Sequence, residues 1–212
     1  PVANFSASFS NAGFMGIPLV AATIGSEYVI YTAAFVAIVN ILQWTYGQYI
    51  MSDHRSVHFE FRKLICNPLV IALLVGLLFY FLPVKIPEIA QSCIRTIAGC
   101  NAPVAMFILG FYLCELPFRQ IFTRKDAYAV SAARLILIPA VSILLLKLIP
   151  AVSTEVKAAI LICAAAPVGS NVAIYAERCG QDYTGSVIMV CLSTVFSIGT
   201  MPLVMMLFSL LG

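Results

Sequence analysis

The sequence predicts an all-α integral membrane protein of seven apolar segments, two of them interrupted part-way along. Three observations lead there. First, 62% of the 212 residues are hydrophobic and 10% are charged, where a soluble domain carries roughly 25% charged residues. Second, apolar runs close to the ~20 residues that cross a ~30 Å hydrocarbon layer recur along the whole chain. Third, two of those runs hold Pro, Gly and Asn together, as NAGFMGIP (Asn11–Pro18) and within AAAPVGSNVAIYAE (Ala164–Glu177). Proline removes a backbone donor and glycine weakens a helix. In hydrocarbon every freed N–H and C=O needs a partner, so a helix broken at mid-depth lines a cavity or a protein-buried site. A pair of such interruptions in corresponding halves points to the binding site of a secondary transporter.

The first segment runs about Ala3–Ile24 and carries the first interruption. Gly25-Ser26-Glu27-Tyr28 makes a turn into the second, about Val29–Met51, and residues 52–63 (SDHRSVHFEFRK) form the longest polar stretch. The third segment follows Asn67-Pro68 and stops at Pro83; the fourth, about Ile89–Leu113, is broken by Asn101-Ala102-Pro103. A second polar loop at 114–127 leads to the fifth segment, about Tyr128–Ile149, where Pro139 marks a kink. The sixth, about Val156–Glu177, holds the second interruption, and Arg178–Tyr183 turns the chain into the seventh, about Thr184–Leu211.

Loop charge gives an orientation. The 52–63 and 114–127 loops and the turn at Arg178 lie on one side and hold Arg55, Arg62, Lys63, Arg119, Arg124, Lys125 and Arg178, against Lys85, Lys147 and Lys157 on the other. The richer side is cytoplasmic by the positive-inside rule. Gly25-Ser26-Glu27-Tyr28 also lies 155 positions before Gly180-Gln181-Asp182-Tyr183, each just after an interrupted segment. Five segments separate the two, and an odd number inverts the copy, as in an inverted-topology repeat. With a five-helix unit, residues 1–51 are the last two helices of a first repeat, 52–63 a cytoplasmic loop and 64–212 a second repeat. The same arithmetic places about three helices ahead of Pro1.

Asn11 and Asn171 are the first candidates for a site. An amide in a membrane helix serves either as interhelical glue, commonly ~1 kcal/mol, or as a ligand group; their place beside Gly and Pro in both interruptions favours the ligand role. Ser170, Gly169 and Asn101 join them as candidate substrate contacts. Pro18 and Pro167, with Gly13, Gly16 and Gly169, are read as forming the breaks and exposing half-helix ends whose positive N-terminal poles suit a carboxylate. Arg95 and Arg134 lie inside segments, where a charge is a functional suspect, yet each is near enough to an end to snorkel. They stand between an anion route and the interface. Glu177 is either a coupling site for a proton or cation or a solvated helix end. Ser131, Thr194 and Ser197 read as packing residues.

Other classes find no support. The basic residues form no stripe for nucleic acid. Neither a catalytic motif nor a nucleotide-binding glycine loop is present. The seven cysteines lack paired-ligand spacing and read as buried free thiols. His54 and His58 sit in a polar loop beside Arg55 and read as surface residues. No cofactor or metal is expected, and no signal peptide is visible.

FSNAGFMGIPL (Phe9–Leu19), NPLVIALLVGLL (Asn67–Leu78), NAPVAMFILG (Asn101–Gly110), AAAPVGSNVAIYAERCGQD (Ala164–Asp182) and STVFSIGTMPL (Ser193–Leu203) together resemble the auxin efflux carrier family, and among its members the bacterial malate or malonate permeases. The resemblance runs in order over essentially the whole chain. It implies ten helices as two inverted five-helix repeats, with the broken fourth and ninth helices crossing, and places helices four to ten in this chain. It puts the crossover prolines on Pro18 and Pro167 and the polar residues beside the substrate on Asn11 and Asn171. It further implies elevator-like alternating access for small organic anions, often carboxylates.

The expectation is therefore a non-enzymatic secondary carrier of a small organic anion, multi-pass in a bacterial-type inner (plasma) membrane. Its partners are the lipid bilayer and the anion, with a homodimer open and proton or sodium coupling undecided. A cation-coupled symporter of similar fold, a channel or a non-transporting membrane receptor are the rival readings. Acidic residues at mid-depth would favour the symporter, and none is found.

Overall fold

The structure is a computed structural model that describes residues 1–52, 68–82, 86–100 and 118–211, with seven further positions between 103 and 114. Among these residues the regular structure is helical, apart from one isolated antiparallel bridge between Ser10 and Val168. Asn101, His54 and His58 lie outside the described residues.

The first interrupted segment is two half-helices. α1 (Val2–Ser8) ends at an extended Phe9, and the chain resumes helically through a π-turn, Ala12–Gly16, into α2 (Ile17–Thr23). α3 (Val29–Leu42) continues through a second π-turn, Gln43–Gly47, into α4 (Gln48–Met51). α5 (Pro68–Phe81) and α6 (Glu88–Gly99) follow; almost all of their described side chains are exposed. α7 (Phe118–Ile121) and the start of α8 (Lys125–Ala132) lie within the 114–127 stretch expected to be loop. α8 runs through a third π-turn, Ala133–Leu137, into α9 (Ile138–Lys147). The second interrupted segment is α10 (Thr154–Ala165) and α11 (Asn171–Arg178), and α12 (Tyr183–Leu211) closes the chain.

Among the described residues three continuous helices, Ser26–Met51, Lys125–Lys147 and Tyr183–Leu210, are long and apolar enough to cross a membrane. Their outward faces carry bare apolar side chains: Ile38, Leu144 and Ile198 are 60%, 64% and 75% exposed. Such a surface suits lipid rather than water.

The two breaks meet each other. The Asn11 N–H donates to the Pro167 carbonyl at 2.8 Å and the Gly169 N–H to the Phe9 carbonyl at 3.1 Å, closing the bridge from both sides. The Val168 N–H donates to Ser193 Oγ of α12 at 3.1 Å. Unwinding in hydrocarbon is thus tolerated because each strand of the crossing is the partner the other lacks. One corner is packed by aromatic rings: Phe5 lies 4.7 Å from Phe9 and 5.0 Å from Tyr175, and Trp44 meets Tyr175 edge-on at 5.6 Å.

Two expectations about the first break need correction. The chain unwinds at Phe9–Asn11, ahead of Gly13, Gly16 and Pro18, which all lie in helical backbone. Pro18 sits at the start of α2 behind a π-turn, where the altered bond pattern accommodates its missing N–H. Gly16 is a packing contact: a Cβ there would come within 3.3 Å of Cys163 Sγ on α10. The thiols are also not uniformly buried. Cys163 and Cys191 are, whereas Cys93 and Cys100, on the exposed α6 and just after it, and Cys114 are exposed.

Gly25 and Gly180 are the described glycines with positive φ, at 143° and 64°. Each follows the second half of a broken segment, where a helix end favours glycine. The two turns matched in the sequence therefore both use a glycine at positive φ, in different backbone regions: Gly25 is extended, with ψ 152°, whereas Gly180 has the φ of a left-handed helix end.

Candidate functional site

The crossing sorts the four half-helix ends by polarity. The π-turn leading into α2 begins at Asn11 and α11 begins after Ser170, so two N-terminal poles open on one side. α1 and α10 end at Ser8 and Ala165, so two C-terminal poles gather on the other. Aligned peptide dipoles put roughly half a positive charge at each N-terminus and half a negative charge at each C-terminus.

On the N-terminal side lies a cavity of about 320 Å³, at the small end of the usual ligand-pocket range. Five sequence-predicted residues line it: Asn11, Gly13, Gly169, Ser170 and Asn171. None of the described residues lining it carries a charge; their polar groups are amides and hydroxyls, and Phe14, Ile17, Val36 and Val39 supply the apolar wall. Asn11 is 3% exposed, and its Nδ2 has no hydrogen-bond partner among the described residues. A buried donor left without a partner costs about 1–3 kcal/mol. It is the kind of group that a ligand would satisfy.

Three polar lining residues were not anticipated. Ser10 forms the bridge and keeps its Oγ buried, without a hydrogen-bond partner among the described residues. Asn40 and Gln43 come from α3 and its π-turn. Gln43 is 2% exposed, and its Oε1 accepts from Asn171 Nδ2 at 3.0 Å. Their spacing was a usable signal, since two amides three residues apart share a helix face. Gly169 belongs to the crossing itself: a Cβ there would meet the Ser10 carbonyl oxygen at 3.3 Å and that of Phe9 at 3.5 Å.

On the C-terminal side sits Arg134, in the third π-turn and 3% exposed. Its Nη2 donates to the Ala164 carbonyl at 2.7 Å, its Nε to Ala166 at 3.1 Å and its Nη1 to Ala7 at 3.3 Å. Arg134 therefore neither snorkels nor lines the cavity; it clamps the ends of both first half-helices. Buried charge is tolerated when hydrogen-bonded to opposite charge, and the two C-terminal poles provide it.

The remaining candidates lie elsewhere. Pro167 is within the second break, its carbonyl used by Asn11. Pro18 is exposed and Gly16 faces α10. Arg95 is exposed on the polar face of α6, with Glu88, Gln91, Ser92 and Thr96 around an open hollow. Glu177 is exposed in the last turn of α11. A roomier groove of about 450 Å³ between α8 and α12 is apolar and holds none of these candidates.

At the end of the molecule where α11 turns into α12, Arg124 donates to Asp126 and to Asp182. Burial raises the Asp182 pKa, but the Gly185 N–H and Arg124 outweigh it, and the carboxyl lies below its ordinary value. The Arg124 guanidinium is raised, by its bonds to Asp126 and then Asp182.

The sequence model of the family described as membrane transport protein matches residues 2–205. The chain belongs to this family, the auxin efflux carriers. No curated protein matches it at a significant level.

Proposed function

We propose that the chain is a secondary carrier that binds a small organic anion, a carboxylate, in the cavity at the helix crossing and moves it by alternating access. One observation carries this reading: two half-helix N-termini converge on a cavity whose described lining residues are uncharged, beside a buried Asn11 Nδ2 with no hydrogen-bond partner among the described residues. Helix N-termini and amide donors are suited to a carboxylate. A neutral lining lets the anion bind and leave without the cost of breaking a buried ion pair. Asn11 would donate directly, and Asn171, held by Gln43, would present its amide from the first turn of α11.

A positive-φ glycine in the turn after each broken segment is in keeping with an inverted repeat, whose pseudo-symmetric centre in this reading is the crossing. In this reading α5 and α6 belong to a static frame against which the crossing body shifts. The end bearing Arg124 and Asp182 faces the cytoplasm, and the protein resides in the plasma membrane.

The test is uptake and counterflow of radiolabelled malate and malonate in proteoliposomes holding the full-length protein or its Asn171→Ala variant. Saturable exchange that the variant loses supports the reading. Absence of flux across pH and sodium gradients removes the dicarboxylate assignment. Normal flux in the variant moves the site away from the crossing.

A further inference from the structure

We propose that Arg134 is a resident cation. Its guanidinium occupies the position at the C-terminal ends of two half-helices that a co-transported metal ion would otherwise fill, so this carrier works without bound Na+ or K+. The inference rests on the carrier reading above and adds a coupling rule to it.

The ligand set is the argument. In transporters with broken helices, unwound backbone carbonyls and half-helix C-termini are the groups that coordinate a coupling cation. Here three such carbonyls, of Ala7, Ala164 and Ala166, converge from both broken segments at 2.7–3.3 Å from the guanidinium nitrogens. The side chain is 3% exposed, and no carboxylate pairs with it among the described residues. A guanidinium is charged at any working pH and cannot dissociate from the chain. It therefore provides permanently what a bound metal ion would provide only when loaded.

The geometry also links this charge to the anion cavity without contact between them. Arg134 grips Ala7 and Ala166, while Ser10 and Gly169, a few residues further along the same two strands, line the cavity. The Ser10–Val168 bridge lies between the two ends. Arg134 is thus a positioning residue: it holds the strands in register and leaves the N-terminal poles free for the substrate.

The experiment compares wild type with Arg134→Ala, Arg134→Met and Arg134→Lys, using thermal unfolding in detergent and malonate counterflow. Wild type should melt and exchange equally in sodium, potassium and choline chloride. Arg134→Ala should melt lower and lose exchange by about tenfold or more, the factor carried by a lost charge-assisted hydrogen bond. Millimolar guanidinium or sodium should restore its melting temperature with saturation, and Arg134→Lys should retain part of the function. Three results overturn the proposal: wild-type stability or flux that needs Na+ or K+, an Arg134→Met variant that exchanges normally in choline, or a monodisperse Arg134→Ala variant indifferent to every cation. The melting measurements need no transported substrate, so failure of the malonate assignment alone leaves the Arg134 result readable.

Discussion

Gln43 Oε1 accepts a 3.0 Å hydrogen bond from Asn171 Nδ2, joining a π-turn after α3 to the first residue of α11. The bond crosses 128 positions of sequence and fixes which face of the Asn171 amide is left for a ligand. Replacing Gln43 by Leu removes the acceptor while keeping the bulk. A buried hydrogen bond is worth about 1 kcal/mol, and its orphaned partner costs more. The KM for the transported anion should therefore rise by about tenfold, with maximal exchange much less affected. Concentration-dependent counterflow separates the two quantities, and an unchanged KM would remove Asn171 from the binding surface.

Asn11 makes the opposite prediction for stability. Its Nδ2 has no partner among the described residues, so Asn11→Ala gives up no hydrogen bond from that atom to them. The melting temperature should hold or rise, while exchange falls by about tenfold or more. Loss of both together would make Asn11 a structural residue. Separation of stability from transport is the signature of a group kept for a ligand.

The second break was legible because Pro167, Gly169, Ser170 and Asn171 stand in an apolar run where each weakens a helix. The first was legible as a region but not in position. Pro18 drew attention to itself, whereas the chain unwinds at Phe9–Asn11, where only backbone pairing with residues 167–169 holds an extended conformation. The role of Arg134 was hidden for a similar reason. Its acceptors are carbonyls of alanines 30, 32 and 127 positions away, and a backbone acceptor leaves no mark in residue type. Each of the three π-turns carries or adjoins one residue of the crossing: Asn11, Gln43 and Arg134. A one-residue widening of a helix has no strong composition, although such turns gather at functional sites.

The Arg124–Asp182 contact gives a pH dependence. Asp182 is lowered in the folded protein, so its charged form contributes stability above the ordinary carboxylate value of about 3.9. That contribution is lost as pH falls through the lower folded value. Its side chain is 47% exposed and Arg124 is 35% exposed, so solvent screens the pair. The gain should be small, roughly 1–3 °C in melting temperature, and weaker in high salt. Asp182→Asn keeps a residue able to cap α12 through the Gly185 N–H but removes the charge. Melting curves between about pH 3 and pH 7 should show a shallower acid limb in the variant; identical limbs would place the acid sensitivity elsewhere.

Gly169 tests the crossing itself. A Cβ there would stand 3.3 Å from the Ser10 carbonyl oxygen and 3.5 Å from that of Phe9. Both obstacles are backbone atoms in a hydrogen-bonded bridge, so neither can rotate aside as a side chain would. Gly169→Ala must therefore push the strands apart and stretch the Gly169–Phe9 bond, at a cost of about 1–3 kcal/mol, or roughly 3–10 °C in melting temperature. Gly199→Ala is the control, since a Cβ there meets nothing within 4 Å; in a helix it should be neutral or stabilising. Exchange should fall in Gly169→Ala even at temperatures where the protein stays folded, because Ser170 and Asn171 follow the displaced strand. A variant that matches Gly199→Ala in both melting and exchange would show that the crossing tolerates a side chain and that close backbone approach does not govern the site.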